Sequence, residues 1–421
     1  MSKPASRRSF LKGLAGGAAA VPMAASVAEF TQLLAATVGE ESRWGLVRAQ
    51  FSFAEGKVPM NAANLCPSPR VVTEQIAALT RDIDIDCSMN NRGKFPKLFE
   101  ESRRKIAAMV GADPDEVAIV RNTSEANNTI NNGLPLGRGD EVVIWEQNHP
   151  TNNVAWEVRG ARYGFTVKRV AVPAKPKNED ELLQPFVDAL SSRTKVLSVT
   201  HISNVSGLRL PVKRIIAEAR RRGIYAHLDG AQSWGAVELD LHDLGCDSYT
   251  ASSHKWFCGP REVGLLYVRK ERIAEIWPNI VAPGWGTTTQ TILRGARKLE
   301  NMGQRDDSRL VAVGTAVDFH QMLGIRGIEA RMYSLATALK KGLRDAGAKL
   351  VTPMDAKLSG GVCIVEVPAE NRKTLVDAMY HKHGIACAAT GGLRLCPHLY
   401  NTAEHIERAI AGVKAQRSLL A

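Results

Sequence analysis

The chain has 421 residues, with 55 Lys+Arg against 43 Asp+Glu, 44% hydrophobic and 23% charged residues, 35 Gly and 7 Cys. That length exceeds one ordinary hydrophobic core; the apolar share excludes a disordered chain, and glycines without a period exclude collagen-like or linker character. Seven cysteines with no pair at Cys-x-x-Cys spacing argue against a disulfide framework and a structural zinc site, and the +12 formal charge points to a polyanionic partner only if the charges cluster.

Taken in chain order, the first feature is Ser6-Arg7-Arg8-Ser9-Phe10-Leu11-Lys12, followed by an uncharged Ala/Gly-rich stretch from Gly13 to Ala28 with small residues at Ser26-Val27-Ala28 suited to cleavage. This resembles a twin-arginine export signal over residues 1–28, and its apolarity is too mild for a stable membrane anchor. The expected partner is the twin-arginine export machinery and the expected location of the mature chain is the periplasm. Such routes carry folded proteins, commonly with a cofactor already inserted. Removing Lys3, Arg7, Arg8 and Lys12 leaves 51 basic against 43 acidic residues, a charge of +8. The local run Arg220-Arg221-Arg222 falls at a predicted helix end, where cations complement the helix dipole, and no aromatic residues interleave with basic ones as a stacking platform requires. Nucleic acid is not an expected partner.

The body of the chain alternates strand and helix signals. Glu116 to Val120 is a short apolar run that ends in the polar Asn122-Thr123-Ser124-Glu125 and then a helical stretch. Glu141 to Trp145, Thr166 to Val172 and Lys195 to Thr200 are further β-rich runs, and the polar stretch from Pro173 to Glu181 reads as a surface loop. Pro211 followed by Val212, Ile215, Ile216 and Ala219 has amphipathic helical spacing with proline near the start, Gly223 breaks it, and Ile224 to Asp229 reads as the next buried strand. The alternation predicts parallel βαβ units, an α/β class, and ligands gathered at the carboxyl ends of the strands.

Two reactive residues fall at such ends. Asp229 opens Asp-Gly-Ala-Gln, and Ser252-Ser253-His254-Lys255-Trp256 closes another short strand. A lysine amine that forms a Schiff base, and an acid that keeps a ring nitrogen protonated, are what an aldehyde cofactor with a pyridine ring needs.

With their neighbours these residues resemble the class V aminotransferase family of pyridoxal 5'-phosphate enzymes, from about Asn61 to the C-terminus. The resemblance implies a fold type I architecture: a large domain over 61–290 with a mostly parallel seven-stranded-type sheet, a small α+β domain over 291–421, and a segment over 29–60 packing on the small domain. It assigns the phosphate loop to Asn122 to Asn128, with Thr123, Ser124 and Glu125 as cofactor contacts at a helix N-terminus. It assigns ring stacking to His149, contacts near the cofactor's phenolic oxygen to Asn204 and Gln232, the pyridinium partner to Asp229, phosphate ligands to Ser252 and His254, and the aldimine lysine to Lys255. Gly284-Trp285-Gly286-Thr287-Thr288 looks like the segment that reaches a neighbouring subunit's phosphate through Thr287, which implies a homodimer. Leu393 to Thr402 resembles the segment whose arginine, here Arg394, clamps the substrate carboxylate.

The implied chemistry is Cα deprotonation of an amino acid or similar small-molecule amine, with Lys255, Asp229 and His149 as catalytic residues. Transamination, epimerisation and lyase chemistry all start there. Cysteine desulfurases of the family carry a nucleophilic cysteine on a flexible loop before the C-terminal arginine. Here Ile385 to Gly392 runs into Arg394 with no room for a long loop, and Cys387 and Cys396 read as small buried hydrophobes. The segment more closely resembles the isopenicillin N epimerase-like branch, whose exported members include one that matures the siderophore pyoverdine in the periplasm. The other readings are a cysteine desulfurase or C-S lyase of the same fold, and a non-catalytic exported binding protein. No metal ligands are expected in the site.

Overall fold

The computed structural model describes residues 26–282, 285 and 293–420. Most of the export-signal reading and Thr287 lie outside these residues. Eleven strands are described in chain order: β1 (Val58–Pro59), β2 (Val117–Val120), β3 (Glu141–Trp145), β4 (Thr166–Val170), β5 (Thr194–Thr200), β6 (Tyr225–Asp229), β7 (Ser248–Ser252), β8 (Gly264–Val268), β9 (Cys363–Val365), β10 (Ile385–Ala386) and β11 (Leu393–Leu395). Seven of them form one sheet in the order β2-β8-β7-β6-β5-β3-β4. Its neighbours pair in parallel except β8, which runs antiparallel to both β7 and β2.

Alternation along the strands explains why they read as continuous apolar runs. Val117 and Ile119 of β2 join one core with Ile106, Ile215 and Phe319, whereas Ala118 and Val120 join another with Ile130 and Trp156. Successive side chains point to opposite faces, so a strand covered by helices on both sides, as β2 is, reads as apolar at every position. Helices Thr123–Gly133 and Pro150–Tyr163 cover one face, and helices Phe95–Met109, Val212–Arg221 and Asp307–Leu323 the other.

The expected strand at 166–172 ends at Val170, and the surface loop read up to Glu181 ends at Asn178. Asn178 Oδ1 accepts from Glu181 N at 3.0 Å and starts helix Glu179–Ala189, whose acidic first turn complements the helix dipole.

A second core joins Val58, Met60, Leu339, Met379, Ile385 and Leu395. Here β1 pairs in parallel with β10, and β11 pairs antiparallel with β9. Helix Val27–Ala36 starts at the Ser26 cap and buries Phe30, which stacks on Phe319 at 5.6 Å. Helix Asp307–Leu323 packs on helices Arg70–Ile85 and Phe95–Met109, in the core of the large sheet. Arg48 donates to the Tyr400 carbonyl at 2.8 Å, tying the N-terminal helices to the C-terminal region.

Candidate active site

Asp229 is the last residue of β6 and is buried. Its Oδ1 accepts from Ala231 N at 3.0 Å and its Oδ2 from Asn127 Nδ2 at 2.8 Å. Gly230 follows, where a Cβ would stand 2.0 Å from the Tyr249 ring, so only glycine lets the chain turn there.

Lys255 sits in a tight turn after β7. Ser253 Oγ donates to the Val263 carbonyl at 2.8 Å, Gly259 N to the Ser253 carbonyl at 2.7 Å, and Cys258 N to the Lys255 carbonyl at 2.9 Å. Cys258 takes a left-handed φ of 51° to close this turn, a strained choice for a non-glycine residue. Among the described residues the Lys255 ammonium has no hydrogen-bond or ion-pair partner. Burial pushes its pKa below the usual lysine range; Asp229 opposes that and Arg394 reinforces it.

Helix Thr123–Gly133 rises directly from β2. Asn122 caps it, Thr123 N donates to Ser252 Oγ at 2.8 Å, and the Thr123 and Ser252 hydroxyls lie 2.7 Å apart, so a helix N-terminus and the end of β7 share one cradle of donors. Ser124 is exposed in the first turn. His254, half-buried, precedes Lys255 in sequence, and burial, Lys255 and Arg261 push its imidazole down to about 4, leaving it neutral. Glu125 is the exception among the phosphate-loop residues. Its N-H donates to Asn122 Oδ1 at 3.0 Å and its carboxylate accepts from Arg121 N at 2.6 Å, so it serves the turn and has no donor left for an anion.

Arg394 projects from β11 and is buried. Its Nη1 donates to the Asn204 carbonyl at 3.3 Å and its Nη2 to Asn61 Oδ1 at 3.1 Å, while Nε is buried without a partner among the described residues. The Asn204 amide makes no hydrogen bond among the described residues. Gln147 Oε1 accepts from Ser203 Oγ at 2.9 Å and Ser206 Oγ at 2.5 Å, so the loop bearing Asn204 is pinned to the loop bearing His149. His149 caps helix Pro150–Tyr163 by accepting at Nδ1 from Thr151 N at 3.3 Å, which leaves its neutral-state proton on Nε2. Burial and Lys255 lower its pKa; Asp229 opposes them and Arg394 adds to them. The four groups therefore share one electrostatic environment. Gln232 Oε1 accepts from Trp256 Nε1 at 2.6 Å and its Nε2 donates to the Ala63 carbonyl at 3.0 Å, leaving one amide proton.

Asn61, Asn127 and Gln147 were not distinguishable as site residues by motif. The one signal for Asn127 is a polar residue on the core face of a helix. Cys66, Cys258 and His398 also converge in the core, but His398 donates at Nε2 to the Trp256 carbonyl at 2.7 Å and accepts at Nδ1 from Leu399 N at 2.6 Å, so both ring nitrogens are taken.

The donor set fits a phosphorylated pyridine aldehyde: an unpartnered amine, a buried carboxylate, hydroxyls at a helix N-terminus with a neutral imidazole nearby, and a buried guanidinium nitrogen awaiting an acceptor. The sequence model of the aminotransferase class-V family matches residues 67–409. The chain belongs to the class-V aminotransferase family. It is a pyridoxal phosphate-dependent enzyme of the fold type I architecture. The class-V chain is similar to isopenicillin N epimerase of Amycolatopsis lactamdurans, at 29% identity over 88% of this chain and 98% of that protein. It is also similar to a cysteine desulfurase of Cronobacter sakazakii, at 32% identity over 75% of this chain and 81% of that protein. Among solved structures, a C-DES mutant with glycine covalently linked to its PLP cofactor shares the fold at a TM-score of 0.79 and 23% identity, covering 87% of this chain and 98% of that one.

Proposed function

We propose that this class-V enzyme removes the Cα proton of an amino acid or an amino-acid moiety in an epimerase-like reaction. The carrying observation is the Lys255 amine, half-buried, unpartnered among the described residues, and held below the usual lysine range between Asp229 and Arg394. When bound, pyridoxal phosphate supplies an electron sink for the charge left on that carbon. Lys255 Nζ takes up the proton, its lowered pKa enlarging the neutral fraction able to do so. Asp229 would hold the ring nitrogen's proton, and Thr123, Ser252 and His254 would hold the phosphate. Arg394 grips the substrate carboxylate, its guanidinium already aimed by Asn61 and the Asn204 carbonyl. A neutral His149, with its proton on Nε2, stands by as a second proton carrier.

The turn before Arg394 supports this reading over a desulfurase. Ala388 and Arg394 face each other in an antiparallel bridge, and Gly391 and Gly392 close the turn at φ 73° and 149°, so the cysteine before it has little reach. Burial and Cys396 push the Cys387 thiol up to about 12, which keeps it from being a thiolate nucleophile. The deciding experiment incubates the loaded enzyme with candidate amino acids in deuterated water. Deuterium entering Cα with inversion, and no aminated cofactor accumulating, is the expected result; stoichiometric aminated cofactor establishes a transaminase instead.

The mature enzyme acts in the periplasm as a homodimer, in maturation of a secondary metabolite or a siderophore of the pyoverdine kind. Support for export is the Arg7-Arg8 leader, which lies ahead of Phe30, whose ring is in the core. Support for the dimer is the apolar surface at Trp277, Ile280 and Val281, next to the segment carrying Thr287. Periplasmic extraction with and without Arg7→Lys/Arg8→Lys, and sedimentation of the mature protein, test these points: cytoplasmic retention of the double variant and a two-chain mass are expected.

A further inference from the structure

On the interior side of Asp229, polar side chains with almost no exposure form one connected chain. Asn127 Nδ2 donates to Asp229 Oδ2 at 2.8 Å. Asn127 Oδ1 accepts from Thr250 Oγ1 at 2.6 Å and lies 3.1 Å from His227 Nε2, and His227 Nδ1 lies 2.8 Å from Ser248 Oγ. All four of these residues are buried, on helix Thr123–Gly133 and on β6 and β7.

The donor directions follow from one constraint. An ionised carboxylate only accepts, so the Asn127 NH2 must face Asp229 and its oxygen must face Thr250 and His227. Thr250 must then donate, His227 must carry its proton on Nε2, and Ser248 must donate to Nδ1. Reversing the amide would set its oxygen against the carboxylate. Every dipole in the chain therefore points toward Asp229, and bonds arranged head to tail polarise one another in a low-dielectric interior. Burial keeps His227 neutral by pushing its pKa down to about 4, so no charge in the chain competes with the carboxylate. Ala231 N occupies the other oxygen at 3.0 Å. The carboxylate is thus fixed in one plane, with lone pairs to spare.

We propose that Asn127, backed by Thr250 and His227, is a positioning residue that presents Asp229 to the ring nitrogen of pyridoxal phosphate. A hydrocarbon core would fill the same volume at no cost in buried polar groups; a chain of four buried polar side chains that ends, through Asn127, on a single carboxylate oxygen is what a carboxylate with a task requires. The inference rests on the cofactor and not on the reaction proposed above.

Its test uses binding rather than turnover. Full-length mature apoenzyme is titrated with pyridoxal phosphate and with the analogue whose ring nitrogen is replaced by carbon, for the wild type, Asn127→Ala and the near-isosteric Thr250→Val. Losing one hydrogen bond to a charged group should weaken binding of pyridoxal phosphate about tenfold to a hundredfold in Asn127→Ala, and about threefold or more in Thr250→Val. The analogue, which offers Asp229 no N-H, should bind all three proteins within about twofold of each other. Equal losses for cofactor and analogue, or no loss for either, overturn the proposal, because a merely structural network cannot sense one ring atom. Thr250→Val, which keeps the shape of the side chain, carries the test alone if Asn127→Ala does not fold.

Discussion

Acid should unfold this enzyme earlier than its carboxylates alone would suggest. His201, His227, His320 and His398 are buried, and burial pushes their imidazoles down to about 3, 4, 4 and 3. Each binds its proton in the unfolded chain near pH 6.5 but stays neutral in the fold, so the unfolded state binds more protons and stability falls as pH drops from about 6.5 toward 4. At about pH 5 the unfolded histidine lies roughly 1.5 units above the pH, which costs about 2 kcal/mol per residue at about 1.4 kcal/mol per unit. Several such terms together approach the whole stability of a typical domain, about 5–15 kcal/mol. Glu100, held at about 2 chiefly by its hydrogen bond to Arg297, titrates below this window and does not mask it. Urea unfolding at about pH 7 and about pH 5 measures the effect. His320→Gln isolates one term, since His320 stacks on Phe257 at 4.5 Å and meets the Ala316 carbonyl at 2.9 Å. The variant should lose about 2 kcal/mol less than the wild type over that interval. Equal midpoints at both pH values, or an unchanged dependence in His320→Gln, would show that the buried histidines do not govern acid unfolding.

Arg394→Lys keeps the charge but loses the planar fork, so binding of amino acids should weaken about tenfold to a hundredfold while binding of the matching amines barely changes. Spectral titration of the loaded enzyme reads both, and retained preference for the carboxylate removes Arg394 from its role. Cys387→Ser should leave activity within about twofold, because a thiol without thiolate character supplies no nucleophile; a loss of orders of magnitude in product assays returns the desulfurase reading. In Gly391→Ala a Cβ would meet the Val205 carbonyl oxygen at 2.0 Å with φ at 73°. Denaturation should show about 2 kcal/mol or more of lost stability, with weaker substrate binding as the Arg394 turn shifts; wild-type values for both would show that the turn tolerates the strain.

The sheet was legible because most of its strands are buried on both faces: Val117 to Val120 and Val142 to Trp145 are apolar at every position, and each run is bounded by turn residues. Asp229 and Lys255 were legible for a related reason, since a charged residue closing such a run stands out. Glu125 misled because position in a motif does not say where a side chain turns, and Arg121 draws its carboxylate back along the chain. Asn127 and Gln147 were hidden because their partners lie far away in sequence. Asn127 meets Asp229 across 102 positions and Gln147 meets Ser203 across 56, distances over which only the folded backbone sets contacts.

The proposed reaction depends on Lys255 moving the Cα proton. The most direct measurement is exchange of the Cα hydrogen of bound amino acids in deuterated water, followed by proton magnetic resonance with the loaded wild type and Lys255→Ala. A near-visible cofactor absorption band and exchange are expected in the wild type. In Lys255→Ala exchange should fall by about a thousandfold or more, the scale of losing a positioned general base, while amino acids still bind. Exchange that survives in Lys255→Ala at the wild-type rate, or a colourless wild type after incubation with pyridoxal phosphate, would contradict it.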